Sequence, residues 1–302
     1  MNRLVLIDGN AILHRAYHAL PPLTAPDGSV VNAVYGFGTM LLRLINDLKP
    51  THLAVAFDRP KPTFRKKIFE GYQAKRPKMD EELVDQIPKV HDLIASFGIP
   101  IFEKDGFEAD DVIGTIVKQS PDQVIIVTGD RDMLQLVQDD KVLVYMPTKG
   151  LSEAKLYDEK AVKERMGVAP KRVPDLKALA GDPSDNYPGV PGIGPKTAVT
   201  LLAKYKTLEG ILKTKELSPS ERKSAILGKD LATIRTNVPL EGALSPLGSL
   251  NRPEAVSVLT ALGFRSLLKR ITGENKQDQQ VQQREQDQKK KQKKTGEQQE
   301  LF

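Results

Sequence analysis

The chain has 302 residues, and 45 Lys and Arg against 39 Asp and Glu give it a formal net charge of +6. It contains no cysteine and four histidines, so disulfides and thiolate metal sites are excluded and a zinc cluster is disfavoured. Any bound metal must therefore be held by oxygen ligands. The mild basic excess fits a polyanionic partner. No apolar run is long enough for a secretory signal or a membrane span, so a cytoplasmic location is expected.

Short β-branched runs alternate with amphipathic segments in the first half of the chain. Apolar strands are predicted at 3–8, 51–58, 123–130 and 141–146, and a helix is predicted around Val31–Leu48. Strands separated by helical segments favour an α/β fold, with a mainly parallel central sheet flanked by helices on both faces.

From about Val162 the strand signals fade and the sequence becomes helical, with Pro and Gly between the segments. We therefore predict an α/β core at 1–161, a helical subdomain at 162–272 and a tail at 273–302. The tail is rich in Gln, Lys, Asp and Glu and has almost no apolar side chain, so it is expected to be disordered.

Acidic side chains follow the predicted strands or begin the segments after them. Because the carboxyl ends of parallel strands open at one edge of a sheet, these side chains are expected to converge there. The nine candidates are Asp8, Asp58, Glu108, Asp110, Asp111, Asp130, Asp132, Asp182 and Asp185. Taken singly, each has an alternative interpretation as a helix N-cap.

Nine carboxylates at one edge of a basic protein would repel one another unless cations neutralise them. Oxygen ligands without thiolate or imidazole select Mg²⁺ or Mn²⁺, and the sequence has no EF-hand loop for Ca²⁺. Two such ions about 4 Å apart support in-line attack of water on a phosphodiester. The pattern therefore predicts hydrolysis of a nucleic-acid substrate, with no covalent protein intermediate.

The segment 59–78 interleaves basic and aromatic side chains. Its basic residues are Lys61, Arg65, Lys66, Lys67, Lys75, Arg76 and Lys78, and its aromatic residues are Phe64, Phe69 and Tyr72. Basic groups that hold phosphates, beside rings that stack on unpaired bases, are typical of single-strand binding. An ordinary solvated, charged helix is the alternative.

The glycine-rich segment 189–198, GVPGIGPKTA, does not match a nucleotide-binding P-loop, because a proline separates its last glycine from its lysine. A tight turn between two helices would instead present backbone N–H groups to a DNA phosphate without reading base sequence. The candidate DNA-binding residues are Gly189, Gly192, Gly194, Lys196 and Thr197. A plain helix–helix turn is the alternative.

Together these segments resemble the 5′-nuclease (5′-3′ exonuclease or flap endonuclease) domain of bacterial DNA polymerase I. The likeness extends from about residue 2 to 272 and follows the family's motif order: LIDGN, AFD, GFEADDVIGT, VTGDRDMLQLV, GDPSDNYPGVPGIGPKTA and LGFRSLLKRI. It implies a PIN-like 5′-nuclease fold with a helical arch at 60–97, through which a 5′ single strand passes. It also implies a helix-hairpin-helix at about 186–205 that grips duplex DNA, often with bound K⁺.

The resemblance further implies a two-metal centre. The positions of the first metal correspond to Asp8, Asp58, Glu108, Asp110 and Asp111, and those of the second to Asp130, Asp132, Asp182 and Asp185. The implied activity is that of a metal-dependent, structure-specific 5′ nuclease acting on flaps, nicks and RNA-primed DNA in replication and repair. Two alternatives stay open: a catalytically weak factor that binds branched DNA and is tethered to the sliding clamp, and an RNase of the related superfamily.

One departure from the family lies in the arch, which commonly reads Tyr-Lys-x-x-Arg-Pro. Here Gln73 stands where the family has a lysine near the scissile phosphate. The resemblance places Tyr72 against the base next to the cut and makes Arg76 and Lys75 catalytic candidates, while Arg65, Lys66 and Lys67 are candidate DNA contacts. We expect either that Lys75 substitutes for the missing lysine or that turnover is reduced.

A second departure is that no polymerase domain follows in this sequence, so a separate DNA polymerase is an expected partner. The chain closes with Gln298, Leu301 and Phe302 in the pattern QxxLF. This pattern looks like the peptide with which bacterial replication proteins bind the sliding clamp, and a chance match in a Gln-rich tail is the alternative. The protein is expected to be a monomer.

Overall fold

The computed structural model describes residues 2–149 and 153–273. In these ranges the main strands are β1 Arg3–Asp8, β2 His52–Ala56, β3 Ile101–Phe102, β4 Gln123–Val127, β5 Val142–Lys149 and β6 Glu153–Tyr157. They form one sheet in the order β3-β2-β1-β4-β5-β6. All neighbours pair in parallel except β5 and β6, which are antiparallel. The prediction of a mainly parallel α/β sheet is confirmed.

Helices cover both faces of this sheet and make up most of the chain beyond it. They are α1 Gly9–Ala19, α2 Asn32–Leu48, α3 Phe64–Ile68, α4 Glu81–Val84, α5 Ile87–Ser96, α6 Ala109–Gln119, α7 Glu159–Met166, α8 Val173–Ala180, α9 Pro195–Tyr205, α10 Leu208–Leu212, α11 Pro219–Ala232, α12 Pro253–Ala261 and α13 Arg265–Thr272. A small antiparallel pair, β7 Gly181–Asp182 and β8 Tyr187–Pro188, follows α8 directly. No helix in the described ranges is both long and apolar enough to cross a membrane.

The alternation of side chains along β1 explains the layered core. Leu4 and Leu6 lie in a cluster with the apolar face of α6. Val5 and Ile7 point to the other face of the sheet and lie in a cluster with α1, α2 and α5. Because both faces of the central strands are covered, their polar side chains are restricted to the strand ends, where the loops begin.

The sequence does not predict two strands of the main sheet, β3 and β6. β3 is only two residues long, and the side chains of β6 are mostly solvent-exposed, so neither carries the apolar run that identified the central strands. The division of the chain at residue 162 stays a prediction. Most of the predicted tail, including Gln298, Leu301 and Phe302, lies outside the described residues.

The prediction of an arch over the whole of 60–97 is wrong for its last part. α5 packs against α2, and its side chains Val90, Leu93 and Ile94 are buried in the core. Just before it, the buried Gln86 side chain accepts a 2.8 Å hydrogen bond from the Ala33 N–H at the start of α2. These contacts fix residues 86–96 as part of the scaffold rather than of an arch.

Candidate metal centre and nucleic-acid interface

Two aspartates are held together at the carboxyl edge of the sheet by a threonine. Asp8 ends β1 and caps α1, where one carboxylate oxygen accepts a 3.0 Å bond from the Ala11 N–H. Its other oxygen accepts a 2.7 Å bond from the Thr128 hydroxyl, just beyond the end of β4. Thr128 in turn accepts a 2.9 Å bond from the Asp130 N–H. The N-cap interpretation is therefore correct for Asp8, but capping uses only one of its oxygens.

The start of α6 brings three further carboxylates to the same edge. Glu108 is the N-cap of α6, and Asp110 lies in its first turn. Asp58, at the solvent side, accepts a 2.7 Å hydrogen bond from the Ala109 N–H, which fixes the loop after β2 against this helix. The carboxylates from the ends of β1, β2 and β4 and from α6 therefore converge, as the parallel sheet predicted.

The pKa values at this edge show the cost of gathering these charges. Burial, together with the nearby charges of Asp130 and Asp8, raises the pKa of Asp110 well above its usual value. Burial, with Asp58 and Asp130 adding repulsion, raises the pKa of Asp8 to about 7. Burial likewise raises the pKa of Glu108 to about 7, although the Arg65 guanidinium opposes the change. Carboxylates that favour protons in this way form a hard oxygen donor set that suits a divalent cation.

A second group of carboxylates lies next to the first. Asp132, Asp182 and Asp185 each offer an oxygen within 4.8 Å of the others. Asp182 belongs to β7 and accepts hydrogen bonds from the N–H and hydroxyl of Ser184, at 2.8 and 2.5 Å. Asp130 interacts with both groups. Burial and repulsion from Asp182 raise its pKa, while the attraction of Lys177 opposes the rise. Its own charge raises the pKa values of Asp8 and Asp110 in the first group. The donor chemistry of both groups fits the predicted oxygen-ligated metals.

Lys177, on α8, is a member of this site that the sequence did not reveal. Its ammonium donates hydrogen bonds to both Asp132 and Asp182. Burial alone would raise the pKa of Asp182, but Lys177 and the bonds from Ser184 outweigh burial, and the pKa is lowered. A lysine in an otherwise ordinary amphipathic helix carries no motif, so only the position of α8 beside β7 identifies it.

Asp111 and Arg65 differ from their predicted roles. Asp111 is fully buried, and its two oxygens accept bonds of 2.7 and 2.9 Å from the Arg65 guanidinium. One of these oxygens also accepts a 2.8 Å bond from the Arg235 N–H. Arg65 is equally buried and donates further bonds to the carbonyls of Leu231 and Thr233 at the end of α11. Asp111 is therefore a structural ion-pair partner rather than a metal ligand, and Arg65 is not a DNA contact.

The segment after α3 is attached to the second acidic group. Asp185 accepts side-chain hydrogen bonds from Tyr72 at 3.2 Å, Gln73 at 3.1 Å and Arg76 at 3.3 Å. The ring of Tyr72 is 3% exposed and lies stacked against Tyr187, so in this structure it is not available to stack on a base. The predicted stacking role of Tyr72 is therefore wrong for this conformation.

The other predicted basic contacts of this segment face solvent. Lys66, Lys67 and Lys75 are exposed, and the Arg76 side chain is 53% exposed although it contacts Asp185. A helix forms only at Phe64–Ile68 in this segment, so the alternative of an ordinary solvated, charged helix does not describe most of residues 59–78. Of these four cations, Arg76 is the one that forms an ion pair with the acidic edge in the described residues.

The glycine segment forms an exposed turn before α9. Gly192 has a φ of +78°, which glycine adopts without strain. Gly194 is the N-cap of α9 with no side-chain cap, and the neighbouring Lys196 and Thr197 are exposed. The helix therefore presents its first N–H groups to solvent. Gly189 is different: a Cβ atom there would lie 2.3 Å from the Leu179 carbonyl oxygen, so its role is close packing rather than DNA contact.

The fold and this edge together define a class: an α/β protein with a mainly parallel sheet, whose strand ends carry a cluster of carboxylates with the donor chemistry of a metal site. The comparisons with known proteins agree. Residues 3–167 match the family model described as 5'-3' exonuclease, N-terminal resolvase-like domain. Residues 168–254 match the model described as 5'-3' exonuclease, C-terminal SAM fold. The chain belongs to the 5′-3′ exonuclease family, which confirms the resemblance seen in the sequence.

Curated relatives and solved structures extend this result. DNA polymerase I of Bacillus subtilis is 39% identical over 297 residues, which is 93% of this chain and 34% of that protein. The chain therefore spans about a third of the length of the curated relatives it matches. A bacteriophage T5 flap endonuclease, solved with DNA and metal ions, has a TM-score of 0.67 at 20% identity, covering 90% of this chain and 97% of that one. Flap endonuclease-1 of Methanococcus jannaschii has a TM-score of 0.58 at 18% identity, covering 89% and 90%.

Proposed function

We propose that this protein is a metal-dependent, structure-specific 5′ nuclease that hydrolyses phosphodiester bonds near 5′ ends, flaps and nicks of DNA and RNA-primed DNA. One observation carries the proposal: carboxylates from the ends of three parallel strands and from α6 converge, with pKa values raised by burial and, at Asp8 and Asp110, by mutual repulsion. A protein keeps such a costly arrangement where a cation or a reaction requires it.

Two divalent ions, Mg²⁺ or Mn²⁺, are the proposed cofactors. Asp8, Glu108 and Asp110, with Asp58 at the rim, would hold the first. Among the described residues, the one ion pair to their oxygens is the Arg65 contact to Glu108. Asp132, Asp182 and Asp185 would hold the second, and Asp130 interacts with both groups. Two bound ions activate a water and stabilise the leaving oxygen of a phosphodiester. The T5 structure named above is described as a complex with DNA and metal ions, which supports this assignment.

The exposed basic groups around the edge would hold the substrate. Arg76 contacts Asp185 yet remains half exposed, so its guanidinium can meet a phosphate placed over the acidic groups. Lys66, Lys67 and Lys75 add positive charge along the same segment. Together they would attract the single-stranded 5′ end and offset the repulsion between its phosphates and the carboxylates.

The turn before α9 would hold the duplex part of the substrate. The N–H groups near Gly192 and Gly194, with Lys196 and Thr197, suit phosphate contacts that do not depend on base sequence. The family resemblance implies a bound K⁺ ion at this turn, and we include this ion in the proposal. This arrangement favours a DNA duplex over a folded RNA as the partner.

The test is cleavage of a 5′-labelled DNA flap with and without Mg²⁺, with the Asp130→Asn variant and an RNA hairpin as controls. We expect a labelled product that requires Mg²⁺, disappears in the variant and does not form from the RNA hairpin. Product formed equally without metal, or equally by Asp130→Asn, would reject the proposal.

The second candidate is a catalytically weak factor that binds branched DNA. Gln73 favours it, because this side chain replaces the arch lysine of the family and donates a hydrogen bond to Asp185. The same experiment separates the two functions if flap binding is measured in parallel. Tight flap binding with no Mg²⁺-dependent product would favour the binding factor, while product formation favours the nuclease.

A further inference from the structure

Lys177 supplies a fixed positive charge to one of the two acidic groups and not to the other. Its ammonium contacts Asp132 and Asp182, two of the three carboxylates that lie within 4.8 Å of one another. Its side chain is 16% exposed. Asp8 and Asp110 have no lysine or arginine contact within 4.0 Å in the part of the chain that the structure describes. In the first group only Glu108 has such a contact within the described ranges, from Arg65, whereas every member of the second group has one, from Lys177 or Arg76. The two groups therefore differ in how far their charge is neutralised.

We infer that Lys177 acts as a built-in counter-ion that occupies the second cation position in the metal-free protein and must be displaced when a metal binds there. The inference rests on the proposed two-metal function. It gives Lys177 a role in controlling when the second metal ion binds. It makes the two positions unequal: the first group binds its ion directly, and the second binds only in competition with the ammonium.

The contacts of Asp185 support competition at the whole second position. Tyr72, Gln73 and Arg76 already donate to its two oxygens, so Lys177 and these three side chains together engage all three members of the group. A divalent ion that binds here must replace the Lys177 ammonium at the carboxylate oxygens, because an ammonium that stayed in place would repel the ion at short range. The lysine can move, because its charge is carried on a flexible stem of four carbons.

The experiment is a titration of metal-free protein with Mn²⁺, in which free Mn²⁺ is counted by electron paramagnetic resonance. The variants are Lys177→Met, which keeps the length and removes the charge, and Lys177→Arg, which keeps the charge. Lys118→Met is the matched control, because Lys118 is an exposed lysine in the last turn of α6, about 12 Å along that helix from Asp110.

For Lys177→Met we expect the second Mn²⁺ to bind about tenfold more tightly or better, with little change at the first site, because removal of the competing charge acts at short range. Lys177→Arg and Lys118→Met should not tighten the second site. The metal-free Lys177→Met variant should also have a lower melting temperature than the wild type, and Mn²⁺ should restore it, because Asp132 and Asp182 then lack their counter-ion.

Unchanged or weaker second-site binding in folded Lys177→Met would overturn the inference while leaving the metal-dependent function intact. If neither the wild type nor any variant bound Mn²⁺, the proposed function itself would fail and the inference with it. Should Lys177→Met not fold, Lys177→Gln gives the same comparison, with folding checked by circular dichroism before the titration.

Discussion

Arg65 and Asp111 form a two-pronged ion pair in the protein interior, with N–O distances of 2.7 and 2.9 Å. The pair connects α3 to the first turn of α6, and Arg65 extends the connection to the end of α11. The adjacent residue Asp110 has no such pair within residues 2–149 and 153–273, and its charge is repelled by Asp130 and Asp8 at the acidic edge. Two neighbouring aspartates therefore have opposite consequences for stability and for metal binding.

Asp111→Asn should lower the free energy of unfolding by about 3 kcal/mol or more, because it leaves the buried Arg65 charge without its partner. The folded variant should bind Mn²⁺ nearly as well as the wild type. Asp110→Asn is the matched change one residue away, and it should stabilise the metal-free protein by relieving repulsion while weakening Mn²⁺ binding. Urea unfolding and Mn²⁺ titration measure the two properties. Loss of Mn²⁺ binding in folded Asp111→Asn would contradict the structural role given to it.

The stability of the metal-free protein should fall as the pH rises from 6.5 to 8.5. The pKa values of Asp8 and Glu108 are about 7 in the folded protein, against about 4 in an unfolded chain. Within this interval the folded state binds more protons than the unfolded chain, so deprotonation near pH 7 removes stability. Below this window His14 and His91, whose pKa values burial lowers, would act in the opposite direction.

Melting temperatures measured in the presence of a metal chelator test this pH dependence. We expect a decrease of about 5 °C across the window, which corresponds to about 2 kcal/mol in a chain of this size. Excess Mg²⁺ should raise the melting temperature most at pH 8.5, where protons compete least. A metal-free melting temperature that rises with pH over this range would show that the carboxylates do not repel one another as described.

Arg76→Ala should reduce flap cleavage about 100-fold or more, because it removes one charged donor from the reacting phosphate. Affinity for a plain duplex should change little, because the duplex contacts are assigned to the turn before α9. Lys78→Ala removes another exposed cation of the same segment and serves as the control. Equal losses of cleavage and of duplex binding in Arg76→Ala would mean that this segment is not where the strand end is held.

Lys196→Ala should weaken duplex binding by a similar factor for all DNA sequences. It should also reduce the magnitude of the slope of log association constant against log salt concentration by about 1. The lysine is exposed in the first turn of α9, so its loss should leave stability unchanged. Affinity measured at several salt concentrations, with Lys118→Ala for comparison, tests this assignment. An unchanged slope would show that Lys196 contacts no phosphate and would contradict the assignment of this turn to the DNA interface.

The central strands and the acidic edge were predictable because they follow from local sequence. RLVLID and QVIIV are apolar runs that only a sheet covered on both faces can bury, and the aspartates that follow them must then share an edge. Exposed features of loops, such as the turn around Gly192, were also predictable, since glycine and proline act on the backbone next to them.

Asp111, Arg65 and Lys177 were not predictable in the same way, because their partners are distant in sequence or belong to other elements. The sequence alone does not distinguish an aspartate that binds a metal from one that pairs with a buried arginine. The side chains of Asp111 and Asp110 differ only in the direction in which they leave α6. Asp111 faces Arg65, and Asp110 faces the acidic edge. The burial of Tyr72 depends on contacts with Tyr187 and Asp185, which no local pattern contains.

The most direct test of the central claim is a diffraction experiment on crystals of the protein soaked in Mn²⁺, with anomalous scattering used to locate the ions. The account predicts two sites: one bounded by Asp8, Glu108 and Asp110, and a weaker one bounded by Asp132, Asp182 and Asp185. Absence of Mn²⁺ from both groups at saturating concentration, or Mn²⁺ bound only at other surfaces, would contradict it.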